Sequence, residues 1–167
     1  MDGTSGVTTF EEFLEIETRY LNSQYDAYYR RRGFSFRRVN LKGHDVEFRY
    51  NGTMKKIEEK TRLDVYSDML VEEIQDIDSG SKGWIYYCDA DYLLYGFAYS
   101  YPPHRIHLAY VVPDFKRFRS WYLSERDRFK EYESCKGFGR TLFRVVSLRE
   151  LRELCLIKML WSEDGVL

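Results

Sequence analysis

No stretch of this sequence reaches the roughly 18 consecutive apolar residues that a membrane-spanning helix needs, so no membrane span is expected. The opening Met1-Asp-Gly-Thr-Ser-Gly6 has neither a basic n-region nor an apolar h-region, which argues against a secretory signal. Cysteine is scarce: Cys88, Cys135 and Cys155 are odd in number and far apart. That speaks against a disulfide frame or a zinc site and for free thiols in a reducing, cytoplasmic setting. With 3 prolines and no Gly-rich tract, the chain has no evident linker, and it has no internal repeat. The net charge of −1 supplies no global positive field, so affinity for a polyanion has to come from local patches. No Ser, Cys or His constellation suits nucleophilic catalysis, and His44, His104 and His107 show no metal-ligand spacing. His44 reads as a plain surface residue, with a place lining the site beside Asp45 as the alternative.

What the chain does have is a length of 167 residues, 44% hydrophobic content and an unusual 15 tyrosines. These suit one domain, residues 1–167, with a sizeable core. Residues 8 to 30 read as an amphipathic helix opened by Thr8-Thr9, with Phe10, Phe13, Leu14, Leu21, Tyr25 and Tyr28 on one stripe. Glu17 interrupts that stripe; it either lies at the stripe edge or faces inward with a partner, because an unpaired carboxylate on an apolar face is costly. Strands are expected over Phe34–Val39, on either side of Asn51-Gly52, over Met69–Ile74, Tyr92–Tyr101 and Arg105–Val112, and over Arg140–Val146. Pro113 is expected to open a helix to about Glu133. Ser147-Leu-Arg-Glu150 reads as a capping box for a last helix to about Trp161. The expected class is α/β, a central mixed β-sheet flanked by helices.

The most informative segment is the hairpin His44–Lys60. Asn51-Gly52 is the strongest short signal for a two-residue type I′ turn. Such a turn sets Tyr50 opposite Thr53, and extending the register sets Asp45 opposite Glu58. Alternation then puts Asp45, Glu47, Arg49, Lys56, Glu58 and Lys60 on one face and Val46, Phe48, Tyr50 and Ile57 on the other. Glu47 opposite Lys56 is a routine ion pair. Asp45 opposite Glu58 brings two carboxylates to a Cβ separation of roughly 4.5–5.5 Å, which destabilises a sheet unless a cation sits between them.

Asp45 followed by Glu58-Glu59-Lys60 resembles the PD-(D/E)XK nuclease superfamily, the restriction-endonuclease-like fold. Leu70-Val71-Glu72, Gly83-Trp84-Ile85-Tyr86 and Ala90-Asp91-Tyr92-Leu93-Leu94-Tyr95 resemble a subgroup of small phage or viral proteins of that type, so the likeness spans roughly residues 10 to 150. It implies an Asp and a Glu-x-Lys on the two strands of a hairpin as the metal site, with an acid from the preceding helix, here Glu17. Two positions depart from the pattern: Glu59 stands where the family is usually apolar, and His44 where a proline is common. Glu59 leaves a shifted register open; Glu58 is preferred because it shares a face with Asp45 and Lys60. Glu72 is a further candidate ligand, or half of a solvated pair with Glu73.

These residue types suit phosphodiester hydrolysis. A hard cation held by one or two carboxylates, Mg²⁺ or Mn²⁺, lowers the pKa of bound water and neutralises phosphate oxygens. Lys60 would orient the attacking water or stabilise developing charge, or else is a surface lysine paired with Glu58 or Asp45. Arg30, Arg31, Arg32, Arg37, Arg38 and Lys42 cluster before the hairpin and would contact phosphates without reading bases. No sequence-reading module is apparent. The expectation is a metal-dependent endonuclease acting on DNA through Asp45, Glu58 and Lys60, selective for structure in the manner of a Holliday-junction resolvase, or working as a homodimer. The alternative is a nuclease-fold protein that has lost catalysis and binds nucleic acid or a protein partner.

Overall fold

The computed structural model describes residues 10–134 and 139–162. Thr8-Thr9 and Cys135 therefore lie outside the described residues, as do the side chains of Phe10 and Phe13. The chain starts with α1 (Phe10–Ile16), a π-helical turn (Glu17–Leu21) and α2 (Asn22–Arg31), which follow one another without a break. Strands β1 (Phe36–Leu41), β2 (His44–Tyr50) and β3 (Thr53–Leu63) form a meander. Next come β4 (Asp68–Asp76), β5 (Ser81–Lys82), the single helical turn α3 (Trp84–Tyr87), β6 (Tyr92–Ala98) and β7 (Ile106–Val112). Helix α4 (Phe115–Glu125), β8 (Lys130–Ser134), β9 (Thr141–Ser147), α5 (Leu148–Glu153) and β10 (Lys158–Ser162) complete the order.

The strands form two sheets, one of six strands in the order β1-β2-β3-β6-β7-β10 and one of four in the order β5-β4-β9-β8. The larger sheet is mixed: β3 and β6 are parallel from Ile57↔Tyr92 to Leu63↔Ala98, and its other pairings are antiparallel. A parallel pair requires a crossover, which here runs through β4, β5 and α3. The α/β class with a mixed sheet and flanking helices is thus as expected, and the second sheet is additional.

Strand β6 is covered on both faces. Leu94 and Ala98 pack with Leu21, Tyr25 and Tyr29 of the N-terminal helix, while Leu93, Tyr95 and Phe97 face α4 and the second sheet. The buried positions 21, 25 and 29 follow the i, i+4, i+8 rule of a helix stripe. The expected stripe shifts because the π-turn inserts extra backbone per turn: Leu14 is 42% exposed, and Tyr29 rather than Tyr28 is fully buried. Gly96 has a definite reason to be glycine. A Cβ there would meet the Tyr25 hydroxyl at 2.3 Å, and that hydroxyl is bonded to Thr61 Oγ1 at 2.9 Å across the strand.

Two expected elements differ. The helix from Pro113 stops at Glu125, and Lys130–Ser134 is a strand pairing with β9. Asp114 caps it, accepting a hydrogen bond from the Arg117 N–H at 2.9 Å, so Pro113 precedes the cap instead of standing at the first helical position. Phe129 still packs inward, against Tyr122, so the apolar spacing of the stripe survives the change of backbone. The last helix is only Leu148–Glu153, and Lys158–Ser162 instead extends the large sheet beside β7. Cys155 with φ 54° turns the chain there, and the run Leu156–Trp161 is too short for periodicity to separate helix from strand. Ser147 makes no side-chain capping bond, so the capping-box reading fails although its position is right.

Candidate functional site

The hairpin register is as the Asn-Gly turn requires. Asn51 and Gly52 both have positive φ, 49° and 77°, and the ladder runs from Tyr50↔Thr53 to Val46↔Ile57. It ends one pair short of Asp45 and Glu58. Beyond that point β3 goes on beside β6 alone, and the Glu59 N–H is taken by Asp45 Oδ2 at 2.7 Å instead of by a strand carbonyl. The two strands therefore part at the acids singled out from the sequence.

Glu58 is 3% exposed. Its Oε1 meets the Lys60 ammonium at 2.5 Å, and its Oε2 is buried with no hydrogen-bond partner. A buried carboxylate oxygen left unsatisfied is rare, because the full desolvation cost of the group then stands uncompensated. Burial pushes the Glu58 carboxyl up; Lys60 pulls it down, and Asp45 pushes it up again. Lys60 keeps its proton firmly: burial works against the ammonium, but Glu58 and then Asp45 outweigh it.

Other groups feel the same centre. Glu17 lies in the π-turn, a local distortion often found at functional sites. Its carboxyl is raised by burial, lowered by Lys60 and raised by Asp45. Glu17, Thr18, Asn22, Asn40, Asp45 and Glu59 line one polar cavity of about 170 Å³. Glu17 thus faces inward rather than lying at the stripe edge. Glu72 is raised by burial and lowered by Lys60, and its Oε1 accepts the Trp84 N–H at 3.3 Å. Tyr87, raised by burial, responds to Lys60, Glu72 and Glu58. Sequence reading missed Tyr87, and only the crossover through α3 brings it here.

Glu59 has a different task. Tyr29 donates to its Oε1 at 2.6 Å, and Arg38 Nη1 meets its Oε2 at 2.7 Å. Arg38 also pairs with Asp26 at 2.7 Å. Burial pushes the Glu59 carboxyl up to about 7 against the pull of Arg38 and Tyr29. Both Glu59 oxygens are occupied, whereas Glu58 has one that is not, which favours Glu58 as the ligand of the two. Glu72 and Glu73 are no solvated pair either. Glu73 is buried, accepting from the Tyr122 hydroxyl at 2.8 Å and pairing with Arg144 at 3.2 Å.

The basic residues divide. Arg38 is turned inward, as described. Arg37 is exposed and paired with Glu47 at 2.6 Å. Arg30 and Arg32 lie over the rings of Phe36 and Tyr28, and Arg31 is exposed. Lys42 sits 4.7 Å from the centre of the Tyr87 ring. His44 is buried, not on the surface, between Asp89 at 2.9 Å and Glu47 at 3.2 Å.

Among the described residues, no group of three or more His, Cys, Asp or Glu side chains could together hold a metal ion. Asp45 and Glu58 offer only carboxylate oxygens, the donor type that a hard cation such as Mg²⁺ or Mn²⁺ would take. Cys88 and Cys155 are free thiols, and burial raises the Cys88 thiol to about 12, which leaves it unreactive at neutral pH. No helix among the described residues is long and apolar enough to cross a membrane. No protein-family model, no curated protein and no solved structure matches this chain.

Proposed function

We propose that the protein is a metal-dependent nuclease of the PD-(D/E)XK type that hydrolyses DNA phosphodiester bonds. The observation that carries this reading is Glu58: a buried carboxylate with one oxygen on Lys60 and the other unpartnered, beside Asp45 where two strands part. The surrounding order supports a restriction-endonuclease-like reading: a helix bearing Glu17, the hairpin bearing Asp45 and Glu58-x-Lys60, then a crossover to a parallel strand.

Asp45 and Glu58 would hold Mg²⁺ or Mn²⁺, and Glu17 and Glu72 are near enough to sense the same charges. The cation, when bound, supplies an acidified water and neutralises a phosphate oxygen. Glu58 and then Asp45 hold the Lys60 ammonium in its charged form against the effect of burial. Its role is to place a fixed positive charge where negative charge develops on the phosphate. Glu17 and Glu72, whose carboxyls burial raises above their ordinary value, are suited to accept the proton of an attacking water. The exposed Lys42, Arg37 and Arg31 would steer the phosphate backbone.

One observation favours the alternative of a binding protein without catalysis: Lys60 is spent on a 2.5 Å ion pair with Glu58, which offsets the charge that would draw a cation. Incubation with linear, circular and branched DNA separates the two. The nuclease reading predicts Mn²⁺- or Mg²⁺-dependent cleavage, lost with EDTA and in Asp45→Ala, Glu58→Ala and Lys60→Ala. Binding without cleavage of any of these substrates favours the alternative.

A further inference from the structure

A second concentration of unusual side chains lies where the β3–β4 connection meets the β6–β7 turn. The two segments are tied by the Asp64 N–H to the Ala98 carbonyl at 2.7 Å and by the Ser100 hydroxyl to Asp64 Oδ1 at 2.6 Å. On the β6–β7 side three rings stack. Tyr99 lies 4.6 Å from His107 at an interplanar angle of 19°, and 5.1 Å from Tyr101 at 25°. Tyr101 is 61% exposed. On the β3–β4 side, the Arg62 guanidinium lies 3.3 Å over the Tyr66 ring while Asp68 holds it at 2.6 Å. Tyr66 is nonetheless 41% exposed.

Tyr66 also opens a cavity of about 410 Å³, with Ser67, Ser147, Arg149 and Arg152 on its walls. The acids nearby do not cancel these cations outright. Asp68 is engaged by Arg62 and Glu153 by Arg149, and the exposed Arg152 and Arg105 outnumber the remaining acid, Asp64, so this end keeps a positive balance.

Two exposed flat rings, each backed by a fixed neighbour and one of them on the wall of a cavity that also carries two arginines, match one chemistry closely. Base faces stack on aromatics, and arginines track the phosphates between them. A duplex hides its base faces, so the rings select an unpaired strand. Arg62 also follows Lys60 by two residues on β3, placing the two on one face about 7 Å apart along the strand. We infer that this end of the molecule binds single-stranded DNA, with bases stacked on Tyr66 and Tyr101 and phosphates on Arg149 and Arg152. The inference names the substrate form for the nuclease reading and rests on it, since the platform would feed an unpaired strand or a branch toward Lys60.

The test is fluorescence anisotropy of the full chain in EDTA with a labelled 20-nucleotide oligo(dT), a 20-base-pair duplex and oligo(rU). The expected result is tighter binding of oligo(dT) than of either competitor. Tyr66→Ala and Tyr101→Ala should each weaken it about tenfold, within the range for one stacked base, while Tyr→Phe at either position retains it. Arg149→Ala with Arg152→Ala should flatten the slope of log affinity against log salt by about 1.4, the loss of two phosphate contacts. Duplex or oligo(rU) binding as tight as oligo(dT), or alanine variants that bind like wild type with unchanged melting temperatures, overturns the inference. Because no metal is present, the outcome is separable from catalysis. Cleavage of duplex without oligo(dT) binding removes the platform and leaves the nuclease, and binding without cleavage does the reverse.

Discussion

At the scale of single residues, the chemistry turns on which carboxylates are satisfied. Glu58 and Glu59 are neighbours, equally buried, yet one is saturated by Arg38 and Tyr29 and the other keeps a bare oxygen. Lys60→Ala should therefore lower cleavage by about 10²–10³-fold while leaving Mn²⁺ affinity equal or stronger, because it removes a charge stabiliser and a competitor for Glu58 but no ligand. Steady-state kinetics and a Mn²⁺ titration read the two effects apart. The acids also set a pH dependence. Glu17, Glu58, Glu59 and Glu72 all hold protons more tightly when folded than their ordinary value of 4.5. The folded state then binds more protons than the unfolded one over that interval. The stability these groups contribute is complete below about pH 4.5 and lost as pH rises, until about pH 7 for Glu59. Melting in EDTA should be lower at pH 7.5 than at pH 5, and added Mn²⁺ should raise it more at pH 7.5. A melting temperature that climbs over that interval contradicts the assignment. Glu47, Asp76 and Asp89 are shifted the other way and act below it.

At the scale of elements, the N-terminal helix is seated on the sheet by a few specific contacts. Arg38 on β1 joins Asp26 of α2 to Glu59 of β3. Arg38→Ala leaves the Glu59 charge buried and unpaired and should cost about 3–5 kcal/mol, read by urea denaturation. Gly96→Ala forces the Tyr25 hydroxyl from its place over the strand and should cost about 1–3 kcal/mol. A stability equal to wild type in either variant contradicts the packing described. The hairpin was legible in the sequence because its information is local: two residues needing positive φ fix the register, and alternation does the rest. The α4–β8 and α5–β10 boundaries were not, because Phe129 and the run Leu156–Trp161 satisfy an apolar helix stripe as well as a strand. In both cases the choice is made by pairing with another strand, the following β9 for Lys130–Ser134 and the remote β7 for Lys158–Ser162. The inward turn of Arg38 was equally hidden, since its partner Glu59 lies 21 residues away and nothing local distinguishes it from Arg37.

At the scale of the whole molecule, the site exists because β3 changes partners. It pairs antiparallel with β2 over its first half and parallel with β6 over its second, and Asp45, Glu58 and Lys60 lie where the exchange occurs. The crossover that permits the parallel pair brings Glu72 and Tyr87 to Lys60, and the π-turn brings Glu17 to the Asp45 side. Sequence spacing alone reached Asp45, Glu58 and Lys60; the convergence of the rest is a property of the topology. The central claim, that Asp45 and Glu58 form a cation site, is tested most directly by electron paramagnetic resonance titration of Mn²⁺ into wild type, Asp45→Asn and Glu58→Gln at pH 7.5. The account predicts saturable Mn²⁺ binding in wild type, weakened at least about tenfold in each variant while the fold persists. Variants that bind Mn²⁺ as wild type does, or a wild type that binds none, would contradict it.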